Sequence, residues 1–222
     1  MGMHGFMLRV SNDELDQFME IAKPAPAEEA KLPPGMNDED FDRELERILP
    51  LALRNSPRGN SPERISKLAR NAAFRQKMLA QFYGNQGEKD HVRAFLVQRQ
   101  SRILPLEKTF HALHWLITGQ GGGGDPPLAN AVLGGTEYGP DLGYGKVRYL
   151  EPEKVSEVAS ALGFLTGDTL LSRWNVKAMK AARIYAVADK EGREECASRY
   201  QQLQAYYTEA ARQREGMLSY IL

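Results

Sequence analysis

Apolar residues recur at the three- and four-residue spacing of amphipathic helices along most of the chain. The first such segment follows Ser11, which stands three residues before Glu14, the spacing of a capping box. The same pattern, with its Pro, Gly and Asn punctuation, predicts helices over residues 11–22, 38–53, 61–83, 88–100, 105–118, 152–162, 176–182 and 191–215, and short helical turns at 128–133 and 170–174.

Three other segments are short and apolar at most positions, as strands are. They cover residues 3–10, 146–150 and 217–222. The order is strand, helices, strand, helices, strand, which fits an α+β fold better than a βαβ repeat. We therefore predict a small, mostly antiparallel or mixed sheet from the terminal and central strands, covered by several helices.

Proline and glycine divide the chain near its N-terminus. Residues 23–35 (KPAPAEEAKLPPG) have the composition of a linker, and residues 55–60 (NSPRGN) that of a turn. At 222 residues the chain fits one domain, or one domain that carries an insertion. We predict a single domain over residues 1–222, interrupted by a basic helical insertion at about 36–100.

The zero net charge hides a separation of charge. Residues 1–53 hold 5 Lys and Arg against 12 Asp and Glu, whereas residues 54–102 hold 11 against 3. On the predicted helix 61–83, Lys67, Arg70 and Lys77 lie away from the apolar stripe and form a basic surface. Either this surface attracts an acidic partner, or the acidic first block docks on the basic second one.

Nucleic acid is not the expected partner of that surface. The connection at residues 55–60 is too long for a helix-turn-helix, and no stacking aromatic residues stand among the basic ones. We expect a protein partner instead. The oligomeric state is left open.

Composition also restricts the chemistry. The single cysteine, Cys196, excludes an internal disulfide and a zinc site built from cysteines, and no histidine is placed to activate it as a nucleophile. The sequence has no secretory signal and no long apolar run, which predicts a cytoplasmic protein without a membrane span.

The stretch over residues 104–150 concentrates glycine, histidine and aromatic residues as no other part does. His111 and His114 are three residues apart, whereas two zinc ligands on one helix are usually four apart, so we expect no metal. Residues 121–124 are four glycines, but neither phosphate-binding motif surrounds them, and we expect a surface loop and no cofactor. We expect His114 to be a core histidine.

A pocket beside the helix 105–118 is the best place for a small-molecule site in this sequence. Its candidate acid or base is His111, with Asp141 as the residue that orients it. Its candidate walls are Trp115, Tyr138 and Tyr144. No confident catalytic set emerges, so whether the protein is an enzyme stays open, with the balance against it.

Several motifs together resemble the YfbM-like family of small bacterial proteins. They are Met1-Gly2-Met3 with LRVSNDEL, LEKTFHALHWLITG, DPPLANAVLGG, DLGYGKVRYL with PEKV, LLSRWNVKAM with IYAV, and the long helix before Gly216. The resemblance covers residues 1–23 and 104–222 and leaves out the basic segment. It implies a compact cytoplasmic α+β domain with no established activity, cofactor or catalytic residues, and relatives that act in immunity or interaction.

Two hypotheses for function follow. The first is a non-enzymatic binding or interaction module, immunity-like or regulatory, because the chain joins a charge-polarised segment to a domain that lacks a convincing catalytic set. The alternative is a small-molecule-binding protein or an enzyme that uses the pocket beside the helix 105–118.

Overall fold

A computed structural model describes residues 2–23, 32, 35–52, 61–82, 86–185 and 190–222. The chain forms two compact units. The main unit comprises Met1–Pro24 and Glu88–Leu222, and the helical unit comprises Ala25–Gly87. The predicted linker and the turn at 55–60 lie largely or wholly outside the described residues.

The main unit is built on a five-stranded sheet in which every pair of neighbours is antiparallel. The strands are β1 (Gly5–Val10), β2 (Ile103–Glu107), β3 (Thr136–Asp141), β4 (Lys146–Leu150) and β5 (Gly216–Ile221). Their order across the sheet is β2-β1-β5-β4-β3, so the strands nearest the two ends of the chain form its centre. The predicted α+β class is confirmed.

Helices cover both faces of this sheet. They are α1 (Asn12–Ile21), α5 (Gln86–Gln98), α6 (Phe110–Thr118), α7 (Pro152–Phe164), α8 (Gly167–Ser172), α9 (Val176–Ala181) and α10 (Lys190–Gln213). Successive strand residues point to opposite faces. Met7 therefore packs in one apolar core with α6, α7 and α10, and Leu8 packs in a second core with α1 and α5.

Local capping explains why several helices begin where the sequence predicts. The Ser11 hydroxyl accepts from the Glu14 N–H and the Glu14 carboxylate accepts from the Ser11 N–H, so the capping box is present. Asn175 caps α9 through its side-chain oxygen, and Pro152 is the first residue of α7. Gly119 ends α6 in the left-handed conformation, with φ of 77°.

Three tyrosines of α10 hold neighbouring segments through backbone carbonyls. The Tyr200 hydroxyl donates to the Leu165 carbonyl at 2.6 Å, and the Tyr207 hydroxyl donates to the Ala131 carbonyl at 3.2 Å. The Tyr206 hydroxyl donates to the Arg102 carbonyl and accepts from the Arg9 N–H at 2.8 Å. Each bond gives a wholly or partly buried tyrosine hydroxyl a hydrogen-bond partner.

The helical unit holds α2 (Asp38–Ala52), α3 (Pro62–Ala69) and α4 (Ala72–Phe82). Its core is a separate cluster of buried residues: Phe41, Leu45, Leu49, Ile65, Ala69 and Leu79. The Arg75 guanidinium pairs with the Asp38 and Asp42 carboxylates, and lies 5.4 Å from the centre of the Phe41 ring. This pairing joins the acidic α2 to the basic α4. The assignment of residues 36–100 as an insertion stays a prediction, and the unit ends at Gly87 rather than 100.

Two predictions of secondary structure are wrong, and one strand was not predicted. Pro105 does not open a helix but stands in the middle of β2, because Phe6 of β1 pairs with it and α6 begins only at Phe110. The strand β3 was not predicted from the sequence. The predicted helix 61–83 is two helices, and the side chain of Asn71 between them accepts from the Phe74 N–H at 2.9 Å.

Candidate functional site

The pocket residues predicted beside α6 are engaged in holding the fold. Nδ1 of His111 accepts from the Tyr185 N–H at 2.9 Å, and Nε2 donates to the Gly121 carbonyl at 2.5 Å. Asp141 accepts from the N–H groups of Gly143 and Gly145, at 2.7 and 3.1 Å, within its own turn. The hydrogen bonds of His111 and Asp141 thus lead to backbone groups and not to each other.

The predicted walls are also divided between the two cores of the main unit. Trp115 is half-buried against the core that contains α6, and Tyr138 is half-buried against the core that contains α1 and α5. Tyr138 lies within ring contact of Phe18 and Tyr149. Tyr144 is exposed at the turn between β3 and β4. The structure does not gather these three side chains around His111.

His114 is buried, as the sequence led us to expect for a core histidine. Nε2 lies 2.9 Å from the Gly123 carbonyl, so the two histidines of α6 both hold the glycine loop. Burial lowers the pKa of His114; the hydrogen bond to Gly123 opposes this shift, and the proximity of His111 adds to it. Its Nδ1 has no hydrogen-bond partner among the described residues.

Two of the three residues of the predicted basic surface are described as exposed. Lys67 and Arg70 line an open cleft in the helical unit together with Glu63, Ser66 and Asn71. The backbone of Lys77 is in α4, but its side chain lies outside the described set.

A polar cleft of about 610 Å³ opens where α1 and α7 begin. Its charged residues are Asp16, Glu151, Glu153 and Arg214, all exposed. The mixture of charges and the exposure are typical of a solvated surface.

An apolar groove in the main unit was not predicted from the sequence. It has a volume of about 480 Å³, within the range of ligand sites. Its lining consists of Phe6, Arg93, Leu96, Val97, Gln100, Ile103, Pro105, Tyr220 and Leu222. The residues come from α5 and the short turn after it, from β1 and β2, and from β5 and the residue that follows it. These segments are distant in sequence, so no local motif reveals the groove.

The apolar residues of the groove reach solvent to an unusual degree. Val97 is 62% exposed and Leu222 is 42% exposed, although both are large and apolar. Phe6 is half-buried, and its ring stacks on Tyr220 with the centres 5.3 Å apart. An exposed apolar patch with a polar rim is typical of an interaction site. The signal in the sequence that could have revealed the groove is Val97, an apolar residue outside the stripe formed by Val92, Phe95 and Leu96 of the same helix.

The Arg93 guanidinium lies at the edge of the groove and has N–H donors that are not used in short hydrogen bonds. A guanidinium has five N–H donors. In Arg93, Nη2 reaches the Leu142 carbonyl at 3.4 Å and Nη1 reaches the Asp90 carboxylate at 3.6 Å, both long contacts. The side chain is 44% exposed. It is therefore available to an anionic group that enters the groove.

Cys196 is buried in the core beside α6, as expected of a structural cysteine. Burial, and after it the neighbouring Glu195, raise the pKa of its thiol to about 12. A thiol in that state is a poor nucleophile at neutral pH. Within the described ranges no three His, Cys, Asp or Glu side chains are grouped so that they could hold a metal ion. No described helix is long and apolar enough to cross a membrane.

Comparison with known proteins finds a family but no activity. A family described as "Domain of unknown function (DUF1877)" matches residues 1–220. The chain is also similar to the crystal structure of YfbM, a protein of unknown function from Escherichia coli, with a TM-score of 0.57, 16% identity and 99% of each chain covered. At that identity the likeness is one of fold. No curated protein matches.

Proposed function

This chain belongs to the DUF1877 family, and we propose that it is a non-enzymatic binding protein whose apolar groove holds a segment of a partner protein. The family match and the full-length likeness in fold confirm the resemblance to YfbM-like proteins. The observation that carries the proposal is the groove itself, where Val97 and Leu222 are exposed beside Arg93. We place this binding in the bacterial cytoplasm, as the resemblance implies.

The chemistry of the groove defines the partner. Burying apolar side chains contributes roughly 25 cal/mol for each Å² removed from water, so the floor and Val97 favour an apolar segment. Arg93 favours a carboxylate in that segment, because a carboxylate accepts two charge-assisted hydrogen bonds from a guanidinium. A protein segment with apolar residues and one Asp or Glu meets both conditions.

The state of the ionisable groups supports binding over catalysis. A general acid or base needs a ring nitrogen within reach of substrate, whereas both nitrogens of His111 are bonded to backbone groups. Cys196 is buried with a raised pKa. Among the described residues, these bonds count against His111 as an acid or base in a site beside α6. Toxin neutralisation and regulation, the two roles expected from the sequence, require only binding.

A peptide library tests the proposal without a known partner. Twelve-residue peptides displayed on phage are selected on the full chain, after depletion on the Val97→Glu variant. The enriched peptides should carry apolar residues and an Asp or Glu. For a synthetic version of the best one, Val97→Glu should raise the Kd by about tenfold or more, roughly 1.4 kcal/mol of binding free energy.

Matched variants decide whether the selected peptide binds in the groove. Phe164 is 90% exposed and is not among the groove residues, so Phe164→Glu makes a similar apolar-to-acidic change and should leave the Kd unchanged. Arg93→Glu should weaken binding, and replacing the peptide carboxylate with Lys should restore it. If no peptide is enriched, or if Val97→Glu and Phe164→Glu act equally, the groove is not the binding site and the proposal fails.

A further inference from the structure

We infer that the bound segment is an amphipathic helix that lies beside α5 on the face of the sheet. This inference rests on the proposed function and specifies the partner. Three features of the groove lead to it: the arrangement of its floor across the strands, the spacing of residues along its wall, and the distance between its two sides.

The floor of the groove continues a surface that a helix already covers. Leu8 of β1 pairs with Ile103 of β2 and Leu218 of β5, and this row is packed against α5. Two residues away, Phe6 pairs with Pro105 and Tyr220, which forms the next row on the same face. Residues two apart on a strand share a face. The second row therefore presents to a ligand the kind of apolar surface that the first row presents to α5.

The wall of the groove is a flank of α5. Val92, Phe95 and Leu96 face the core and are almost fully buried. Arg93 and Val97 are four residues apart, the spacing of one helix face, and this stripe lies roughly 100° around the helix from its buried face. Gln100 follows in the short 3-10 helix Gln100–Arg102 after α5. Val97 is exposed at the C-terminal end of this stripe. A helix laid alongside α5 meets such a stripe with residues of the same spacing.

The width of the floor fits a bound helix better than a bound extended strand. Ile103 and Pro105 belong to β2, and Tyr220 and Leu222 belong to or follow β5, two positions further across the sheet. Neighbouring strands are about 4.8 Å apart, so the floor spans roughly 10 Å, the diameter of a helix with its side chains. A strand added at the edge of β2 reaches only the β2 residues, and Pro105 has no N–H for its ladder.

Charge sets the position of the acidic residue in the partner helix. Arg93 lies about one helical turn before Val97, so the charged group of the wall is at one end of its apolar part. A carboxylate therefore fits at one end of the apolar stripe of the partner, where it meets Arg93. Apolar residues at i, i+3, i+4 and i+7 fill the floor between the two ends.

The experiment uses the peptide from the library that binds with the lowest Kd. A hydrocarbon staple across i and i+4 on its polar face should lower the Kd about threefold or more, because it removes part of the entropy cost of helix formation. A proline at the centre should raise the Kd more than tenfold, since proline costs about 3 kcal/mol inside a helix. In the bound peptide, NMR should show strong sequential amide–amide contacts.

The outcomes separate this inference from the proposed function. If a peptide binds in the groove but tolerates the central proline and is extended when bound, the helix is ruled out while groove binding stands. If no peptide binds, the proposed function itself fails. Sedimentation of the full chain alone gives a further outcome. A dimer that Val97→Glu abolishes and Phe164→Glu preserves would make a second copy the occupant and overturn the partner helix.

Discussion

The Tyr185 N–H donates a hydrogen bond to Nδ1 of His111 at 2.9 Å. This bond places the ring proton on Nε2, which donates to the Gly121 carbonyl at 2.5 Å. The Tyr185 hydroxyl in turn accepts from the Met3 N–H at 3.0 Å. One histidine of α6 thus connects the glycine loop to the segment after α9, and that segment is bonded to the first residues of the chain.

Replacing His111 with alanine is expected to destabilise the protein. The change leaves the Tyr185 N–H and the Gly121 carbonyl without their partner, which costs about 1–3 kcal/mol for each group that water cannot reach. Urea unfolding measures the loss. His91→Ala on the exposed side of α5 is the control and should change the free energy of unfolding by less than about 0.5 kcal/mol. Equal stabilities for the two variants would show that this bridge contributes nothing.

His114 is expected to make stability fall in mild acid. Burial lowers its pKa in the folded protein, whereas in the unfolded chain it titrates near its ordinary value of 6.5. Below about pH 6.5 the unfolded state binds the proton and the folded state does not, so the free energy of unfolding decreases as the pH falls toward the folded pKa. Urea unfolding at several pH values between about 7.5 and 5 should show this slope.

The control for His114 removes the titrating group and keeps a hydrogen-bond donor. In His114→Gln the side-chain amide can still donate toward the Gly123 carbonyl, but no proton is taken up in this range. The variant should therefore lose part of the wild-type slope between about pH 6.5 and 5. Equal slopes for the two proteins would exclude His114 as the source of the pH dependence of stability.

Glu14 is expected to stabilise the fold at neutral pH and to lose that effect in strong acid. Burial raises its pKa, but hydrogen bonds from Arg102, from the Ser11 backbone and from Arg99 outweigh burial and lower the pKa to about 2. The contribution is complete above the ordinary value of 4.5 and disappears as the pH falls toward 2. Glu14→Gln should cost about 1–3 kcal/mol at pH 7 in urea unfolding.

The same helix supplies the comparison for Glu14. Glu20 is an exposed residue of α1, so Glu20→Gln should leave stability within about 0.5 kcal/mol of wild type. The difference between wild type and Glu14→Gln should shrink when both are measured near pH 3. A difference that is constant with pH would contradict the role of the ionised carboxylate.

Two glycines are expected to respond to alanine in opposite directions. Gly163 lies in α7 with open space around it, so Gly163→Ala should raise the free energy of unfolding by about 0.5–1 kcal/mol through helix propensity. Gly139 has φ of 77°, and a Cβ there would lie 2.9 Å from the Cβ of Ala22. Gly139→Ala should therefore lower Tm, and calorimetry on both variants checks the signs. The same sign for both would refute the argument.

The sequence predicted the helices of the main unit well where their ends are set by local chemistry. Ser11 with Glu14, Pro152, Asn175 and Gly119 each act on groups within four residues, so the pattern and the outcome agree. The end of α10 was less well predicted. The helix was predicted to end at residue 215 but ends at Gln213, and Arg214 takes the left-handed conformation, with φ of 54°. Gly216 begins β5, where a Cβ would lie 3.0 Å from the Leu150 carbonyl.

The candidate site could be predicted only in part, because its contacts join residues that are far apart in sequence. The sequence singled out His111 and predicted Asp141 as its partner, but His111 accepts instead from the Tyr185 N–H, 74 positions away. Nothing in the spacing of residues near α6 indicates that bond. Similarly, Val97 was recognisable as an apolar residue outside its helical stripe, but its neighbours in the groove, Phe6 and Tyr220, come from the two ends of the chain.

By itself the sequence determined the α+β class, the family resemblance, the starts of several helices and the inert state of Cys196, because these depend on composition and on contacts within a few residues. Only the tertiary structure decided the edge strand β2, the bonds of His111 and the apolar groove. A strand exists through its partner, since Ile103 and Pro105 are extended by pairing with Leu8 and Phe6. The groove exists because that pairing brings one face of the sheet beside α5 without covering it entirely.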